Sequence, residues 1–581
     1  MTYVITQSCL NDTSCVAVCP VDAIHPRPDE PGYETSDLVY IDPIACIDCG
    51  ACALACPIGA VYAEDDLPES LQGYRQINAD HFAGQPPAPV APAQNHVAPS
   101  DRARLPELRV AIVGSGPAGC YAADALLARK DVRASVHMYE RLPSPWGLVR
   151  SGVAPDHPQT KTITDLFTRV AEHPDFQFNL AVEVGQHITY DELLKHHHAV
   201  IYAVGAPRDR RLGIPGEDLP GSHPAAEFVA WYNGHPDHAD RTYDFACSRA
   251  VIVGNGNVAL DMARILLADA DDLARTDICE SALAQLRASE IREVVVLGRR
   301  GPDQAAYTAP ELLGLEQLAG VDIVVDPADA SPDTTGTPSG RLKAEILAQW
   351  AARTPSNDRR IVLRYLSSPV EIHGTDHVRA VEVVRNELQQ QDDGSVRAMP
   401  TNETELIETG LVLRSIGYRA DAIAGVPFDA ERGVLPNDAG RVLDLASGRP
   451  EPGVYATGWI KRGPSGVIGT NRRCAQETVS SLVDDFQYGR LPAPSLDSDA
   501  LERLLEGRAP NRFGVAGWHA IDAHERRLGV LARRPRVKLT ARPALMEVAA
   551  QTARRDRPPT VSSVTDGAAA SALKNDHTDG R

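Results

Sequence analysis

Seven of the eleven cysteines in this 581-residue chain lie before residue 57, in two runs: CLNDTSCVAVCP from Cys9 and CIDCGACALACP from Cys46. A segment this short buries little apolar surface and needs staples to hold a fold. The second run has the spacing C-x2-C-x2-C-x3-C-P, and the first repeats it with Asp12 in place of the second cysteine. That is the spacing of paired iron–sulfur clusters, in which three cysteines of a run hold one cluster and the fourth holds the other. Cys46, Cys49 and Cys52, completed by Cys19, are expected to hold a [4Fe-4S] cluster. Cys9, Cys15 and Cys56 are expected to hold the second. Asp12 is either an oxygen ligand to a fourth iron or a bystander that leaves a [3Fe-4S] cluster. A hard carboxylate holds iron less firmly than thiolate among sulfur ligands, which favours the bystander. Zinc is the alternative, but seven thiolates and two trailing prolines fit paired clusters better.

The remaining composition narrows the class. A net charge of −20 argues against non-specific nucleic-acid binding. No apolar run reaches bilayer length, and the start, MTYVITQSCLND, has no basic-then-apolar leader. Closely spaced cysteines in such a chain point to metal in a reducing compartment, so a cytoplasmic protein that binds neither membrane nor nucleic acid is expected. Cys120, Cys247, Cys279 and Cys474 stand alone in apolar contexts and read as small buried hydrophobes.

The chain is too long for one core. Residues 1–70 form the cysteine-rich unit, and 71–107 a linker whose Pro/Ala-rich heart spans 83–100. From Leu108, β-branched runs alternate with Ala/Leu-rich stretches, which implies parallel sheets covered by helices. The polar residues 553–581 read as a disordered tail.

Two nucleotide cradles follow. VAIVGSGPAG places Gly114, Gly116 and Gly119 after a strand and before a helix, where a pyrophosphate meets the helix N-terminus. The next strand, SVHMYE, ends at Glu140, suited to a ribose hydroxyl. AVIVGNGNVALDMARILL repeats the device at Gly254, Gly256 and Ala259. Its ribose strand, EVVVLGRR, ends in Arg299 and Arg300, which select a 2′-phosphate and hence NADP. The stretch DADDLARTDICESALAQLRASE between them is expected to be a helical excursion. One site suits the adenosine of FAD and the other NADPH, a pairing for hydride transfer.

The motifs VAIVGSGPAG, PWGLVRSGVAPDHP, FVAWYNGHP, GNGNVALDMARILL, GRRGPDQAAYT and ATGWIKRGPSGVIGTN resemble adrenodoxin-reductase-type ferredoxin–NADP reductases over roughly residues 108–550. With the front unit, the whole is similar to the actinobacterial fusion of a ferredoxin with such a reductase. The resemblance implies an α/β fold behind an α+β ferredoxin domain, with two Rossmann-like domains. The NADP domain (208–423) is inserted between the two parts of the FAD domain (108–207 and 424–552). It implies FAD contacts at Ala118, Glu140, Leu148, Val182, Trp459, Gly466, Val467 and Ile468. It implies NADP contacts at Gly254, Asn255, Gly256, Asn257, Val258, Arg299, Arg300, Glu311 and Gly466, with His157 and Asp261 near the flavin ring. The implied activity is electron transfer between NADPH and ferredoxin, the tethered one and possibly free ones, feeding cytochrome P450 or other redox enzymes. A small subunit of glutamate synthase and a non-catalytic redox sensor are the alternatives.

Overall fold

Two short antiparallel pairs frame the N-terminal unit of the computed structural model: Tyr3–Ile5 with Val61–Ala63, and Ile24–His25 with Tyr40–Ile41. Neither is long enough to be stable alone. Helix α1 (Gly73–His81) joins them through the buried Asn78. Its Oδ1 accepts from Ile5 N and Ile41 N, and its Nδ2 donates to Ile5 O and Tyr74 O, all within 2.8–3.2 Å. Composition places residues 71–81 in a linker; the structure instead folds 73–81 onto the unit. The reason is local: Tyr74 and Asn78, one helical turn apart, both bury on the same face.

The structure describes residues 2–83, 106–330, 337–392 and 395–555. The Pro/Ala-rich heart of the expected linker and the tail beyond Arg555 lie outside the described residues.

Strand β1 (Glu107–Val113), helix α2 (Pro117–Leu127) and β2 (Arg133–Glu140) open the second unit. Its seven-stranded sheet runs in the order 437–438, 441–443, 450–456, 199–202, β1, β2, 176–180. Side chains of β1 alternate by face, as a strand requires. Val110 and Ile112 join the helix-covered core, while Ala111 and Val113 pack on the opposite side.

The chain leaves this sheet after Tyr202 and returns after Arg414. The two crossings pair as a short antiparallel ribbon, Arg208–Asp209 with Tyr418–Arg419. Between them lies a six-stranded parallel sheet in the order 222–224, 411–414, β3 (Arg249–Val253), β4 (Glu293–Leu297), 359–364, 321–325. Helix α3 (Asn257–Leu267) follows β3. The expected excursion folds as helices Ala270–Leu273 and Glu280–Arg287. A three-stranded antiparallel sheet (367–374, 378–390, 396–408) covers the other face, placing Ile372, Val381 and Ile407 against Val251 and Val295. Helix α4 (Ala309–Gly314) belongs to this insertion, and helix α5 (Thr470–Gln487) lies on α2. No helix among the described residues is long and apolar enough to cross a membrane.

Candidate functional site

The two cysteine runs share one backbone path. The second and fourth residues after the first cysteine take positive φ in both: Asn11 (54°) and Thr13 (58°) in one, Asp48 (57°) and Gly50 (72°) in the other. A β-branched threonine in this region is strained, so the path is imposed by its surroundings. Asp12 therefore occupies the place of Cys49. Backbone N–H groups point at the sulfurs: Asn11 N donates to Cys9 Sγ (3.3 Å), Ala23 N to Cys19 Sγ and Ala60 N to Cys56 Sγ (3.2 Å each). Burial pushes the Cys9 thiol up to about 12, with Cys56 and Asp12 adding to the rise. Burial likewise pushes Cys52 up to about 11, with Cys46 and Cys19 adding. Cys9 thus neighbours Cys56, and Cys52 neighbours Cys46 and Cys19. Among the described residues, no three of these sulfurs lie within 4.8 Å of one another. A tetrahedral zinc site places its sulfurs about 3.8 Å apart, from Zn–S bonds of about 2.3 Å. As placed, no three of these sulfurs share one tetrahedral ion.

The Asp12 carboxylate is engaged by protein. Oδ1 accepts from Ser14 N (3.2 Å) and Oδ2 from Ser14 Oγ (2.5 Å), and Arg472 Nη1 stands 3.4 Å from Oδ2. The same guanidinium donates to Asp12 O (3.3 Å) and to Ser14 Oγ. Arg472 belongs to α5, so the cysteine unit is docked on the nucleotide-binding part.

The dock is extensive. Gly469 N donates to Leu10 O (3.0 Å), and a Cβ on Gly469 would lie 2.1 Å from that oxygen. Leu10, Ile58 and Ala60 enter the core around α2 and α5. Gln159 Nε2 donates to Gly59 O (2.8 Å). Asp37 reaches the inserted domain: its Oδ2 accepts from Ala309 N (2.9 Å) and Ser339 Oγ (2.6 Å).

At the first cradle, Gly114 takes φ +102°, and a Cβ there would lie 2.7 Å from Ala203 O. A Cβ on Gly119 would meet Gly114 O at 2.2 Å, and one on Gly147 would meet Gly116 Cα at 2.8 Å. Glycine is required where helix and turns close on each other. Glu140 Oε2 accepts from Ser115 N (3.1 Å) and Ser115 Oγ (2.8 Å), which sets the acid beside the turn. Val182 N donates to Glu140 O (2.9 Å). Ala118 and Gly458 meet at the same wall, where a Cβ on Gly458 would come within 2.5 Å of Ala118 Cβ. Leu148 opens a short helix after Gly147 and is half-exposed. Trp459 stacks on Tyr418 at 5.6 Å and donates from Nε1 to Ser465 O (3.2 Å). Gly466, Val467 and Ile468 form the turn into α5, with Thr470 Oγ1 accepting from Val467 N (3.1 Å). These glycine-lined walls fit a dinucleotide.

At the second cradle a Cβ on Gly254 would lie 2.1 Å from Ser415 O, and one on Gly298 would strike Asn255 Nδ2 at 2.3 Å. The end of β4 thus touches the glycine loop. Asn257 Oδ1 accepts from Thr308 N (2.8 Å), joining the start of α3, where Val258 also sits, to the start of α4. Arg299 is exposed and Arg300 half-buried. Asn386 Nδ2 donates to Arg299 O (2.8 Å), which pins the backbone, and neither guanidinium meets a carboxylate among the described residues.

Where the two cradles face each other, a buried arginine organises the charges. Arg264 Nε donates to Asp156 Oδ2 (2.5 Å), Nη2 to Asp261 Oδ1 (2.5 Å) and to His157 Nε2 (2.8 Å), and Nη1 to Glu311 Oε2 (3.3 Å). An arginine always donates, so the neutral His157 ring carries its proton on Nδ1, which faces Glu311 Oε1 at 3.8 Å. Burial, then Asp261, raises the Glu311 pKa; Arg264 holds Asp156 low despite burial. The His157–Asp261–Glu311 trio is compact enough for a metal ion, but the guanidinium among these groups makes it a poor cation site. The resemblance implied His157, Asp261 and Glu311 but not Arg264 or Asp156. The signal was a single cation inside the apolar run from Ala259 to Leu267.

Two family models match the chain: "4Fe-4S dicluster domain" over residues 8–60 and "Pyridine nucleotide-disulphide oxidoreductase" over 108–295. The chain is 49% identical over 561 residues to the probable ferredoxin/ferredoxin–NADP reductase of Mycobacterium tuberculosis, covering 93% of each. It is 46% identical over 454 residues to the NADPH-ferredoxin reductase FprA of that organism, covering 76% of this chain and 98% of the relative. The structure of Mycobacterium tuberculosis FprA in complex with NADPH matches at TM-score 0.73 and 45% identity, covering 76% of this chain and all of that one.

Proposed function

The chain belongs to the family of fused ferredoxin/ferredoxin–NADP reductases, and we propose how its residues divide the work of that NADPH-dependent flavin oxidoreductase. It binds FAD and NADP(H), and its front unit is of iron–sulfur type. FAD, when bound, takes electrons in pairs from nicotinamide and releases them singly.

The first cradle holds FAD, with Gly114, Gly116, Ala118 and Gly119 under the pyrophosphate and Glu140 at the ribose. Leu148, Val182, Trp459 and the 466–468 turn line the rest. The second holds NADP(H), with Gly254 to Val258 under the pyrophosphate and Arg299 and Arg300 on the 2′-phosphate; Glu311 and Gly466 close it. Arg264 fixes His157 and Asp261 where the two nucleotides meet. It holds His157 with the Nδ1 proton toward Glu311.

Cys19, Cys46, Cys49 and Cys52 hold a [4Fe-4S] cluster. Cys9, Cys15 and Cys56 hold a [3Fe-4S] cluster, with Asp12 turned to Ser14 and Arg472 as a bystander. The observation that carries this reading is the hydrogen bond from Gly469 N to Leu10 O. It seats the first cysteine loop on the turn that enters α5, beside the flavin wall. The front unit is the first acceptor, in the cytoplasm, and passes electrons to cytochrome P450 or another redox enzyme. Likeness over nearly the whole chain favours this over a glutamate synthase small subunit or a redox sensor.

Anaerobic NADPH titration, followed by visible and paramagnetic resonance spectra, tests it. Bleaching of flavin followed by reduction of both clusters is expected. Flavin reduction that leaves both clusters oxidised would overturn the relay.

A further inference from the structure

The two cysteine runs are equivalent in backbone and opposite in exposure. In the first run the residue after the leading cysteine, Leu10, is 6% exposed and buried against the reductase; its counterpart Ile47 is 58% exposed. Asp12 is buried under Arg472, and its counterpart Cys49 is exposed. Ile44, just before the same cysteine run, is 93% exposed, and Leu54, on the short helix Ala51–Ala55 within it, is 91% exposed. Isolated exposed apolar residues need no explanation, but three within a dozen residues of chain around an exposed thiol mark a candidate contact face.

Charge says what covers it. Between Pro28 and Tyr74 the sequence has ten acids and no lysine or arginine. Glu30, Glu34 and Glu64 pair with Arg27, Arg473 and Arg75, and Asp37 faces the inserted domain, while Asp48 and Asp66 stand with Cys49 and Cys52 around Tyr3. Asp48 is itself exposed beside Ile47 and Cys49. The covered half displays the matching partner chemistry. There an apolar side chain enters a recess, a backbone N–H meets the loop, and an arginine faces the carboxylate at the repeat position.

We propose that the face formed by Ile44, Ile47, Asp48, Cys49 and Leu54 docks a separate one-electron acceptor protein with an apolar centre and a cationic rim. This rests on the relay reading above and adds to it an order. The Cys9–Cys15–Cys56 set faces inward and is served by the reductase; the Cys19–Cys46–Cys49–Cys52 set faces outward and delivers. The two halves of one repeat thus serve as entrance and exit.

The experiment uses the full, cluster-loaded chain and cytochrome c, a lysine-rimmed haem protein, as probe. Binding of oxidised cytochrome c is measured by calorimetry at low salt without NADPH, so it does not depend on turnover. Ile44→Lys and Leu54→Lys each place a cation in this face, and Leu531→Lys, 82% exposed on the helix Val515–Ala532, is the control. Each patch variant is expected to weaken binding about ten-fold, as truncation of a central contact does. The control should bind as wild type, and NADPH–ferricyanide activity should be unchanged in all three. Unchanged binding in both patch variants overturns the proposal. So does a wild-type dimer in sedimentation that either substitution dissociates, since the occupant is then a second copy. If Leu54→Lys loses its cluster spectrum, Ile44→Lys decides. Failure of NADPH to reduce the clusters in the wild type sinks the relay and leaves the binding result standing.

Discussion

Replacing both Arg299 and Arg300 with alanine tests the nucleotide assignment most directly. The backbone at the end of β4 is held independently of these side chains. Gly298 N donates to Arg364 O (2.8 Å), Asn386 Nδ2 to Arg299 O (2.8 Å) and Leu366 N to Arg300 O (3.1 Å). The substitution therefore removes two guanidiniums and leaves the strand in place. A hydrogen bond to a charged group is worth about 1.5–3 kcal/mol. Arg299 is exposed and belongs at or below the low end of that range; Arg300 is half-buried and belongs nearer its middle. Together they contribute about 3–4 kcal/mol toward the 2′-phosphate, or roughly 150- to 900-fold in kcat/KM for NADPH. NADH has no such phosphate and should change by less than about three-fold, the range of a surface substitution. Steady-state ferricyanide reduction with each nucleotide reads both numbers. Equal losses for the two would refute the assignment.

Asp12→Cys restores the full run on a backbone that already matches the one around Cys49. The oxidised-state paramagnetic signal of a three-iron cluster should disappear as a four-iron form replaces it; persistence of the signal with full cysteine incorporation would show that the loop, not the ligand, sets the cluster. Deleting residues 1–105 should leave a yellow protein that reduces ferricyanide with NADPH but loses most cytochrome c reduction, because the FprA relative matches nearly end to end without this unit; insoluble product would contradict it. Asp209, on the ribbon between the reductase domains, has its pKa raised to about 7 by burial while Oδ2 accepts from Ala226 N (2.9 Å). The folded chain holds this proton up to about pH 7 and the unfolded chain releases it near 4, so the folded state binds more protons between those values. Its contribution to stability falls as pH rises through that window and is level above it. Melting temperatures of wild type minus Asp209→Asn should fall from pH 5 to pH 7, and a flat difference would remove the assignment.

Much of the site was legible because its chemistry is local in sequence. Each cysteine run, each glycine turn after a strand and the arginine pair at the end of β4 occupies a dozen residues or fewer. What escaped depends on distant partners. Arg264 meets His157 from 107 positions away, and Arg472 meets Asp12 from 460. Each sits in a helix whose sequence advertises only amphipathicity. Helix α1 escaped for another reason: it buries just Tyr74 and Asn78, too little for an apolar period to stand out beside the prolines that follow. The insertion of one domain into the other came from resemblance; the physical trace, the 208–209 and 418–419 ribbon, is two residues wide.

Asp37 and Asp12 lie on one small body yet grip two different ones, the start of α4 and the start of α5. The nucleotide domains also touch directly, Arg264 to Asp156 and Lys161 to Asp277, and a third plate bolted to both turns the assembly into a braced triangle. Opening the cleft between the nucleotide domains then strains or breaks one of the two bolts. Separation of the nucleotide domains and loosening of the front unit are thus one movement.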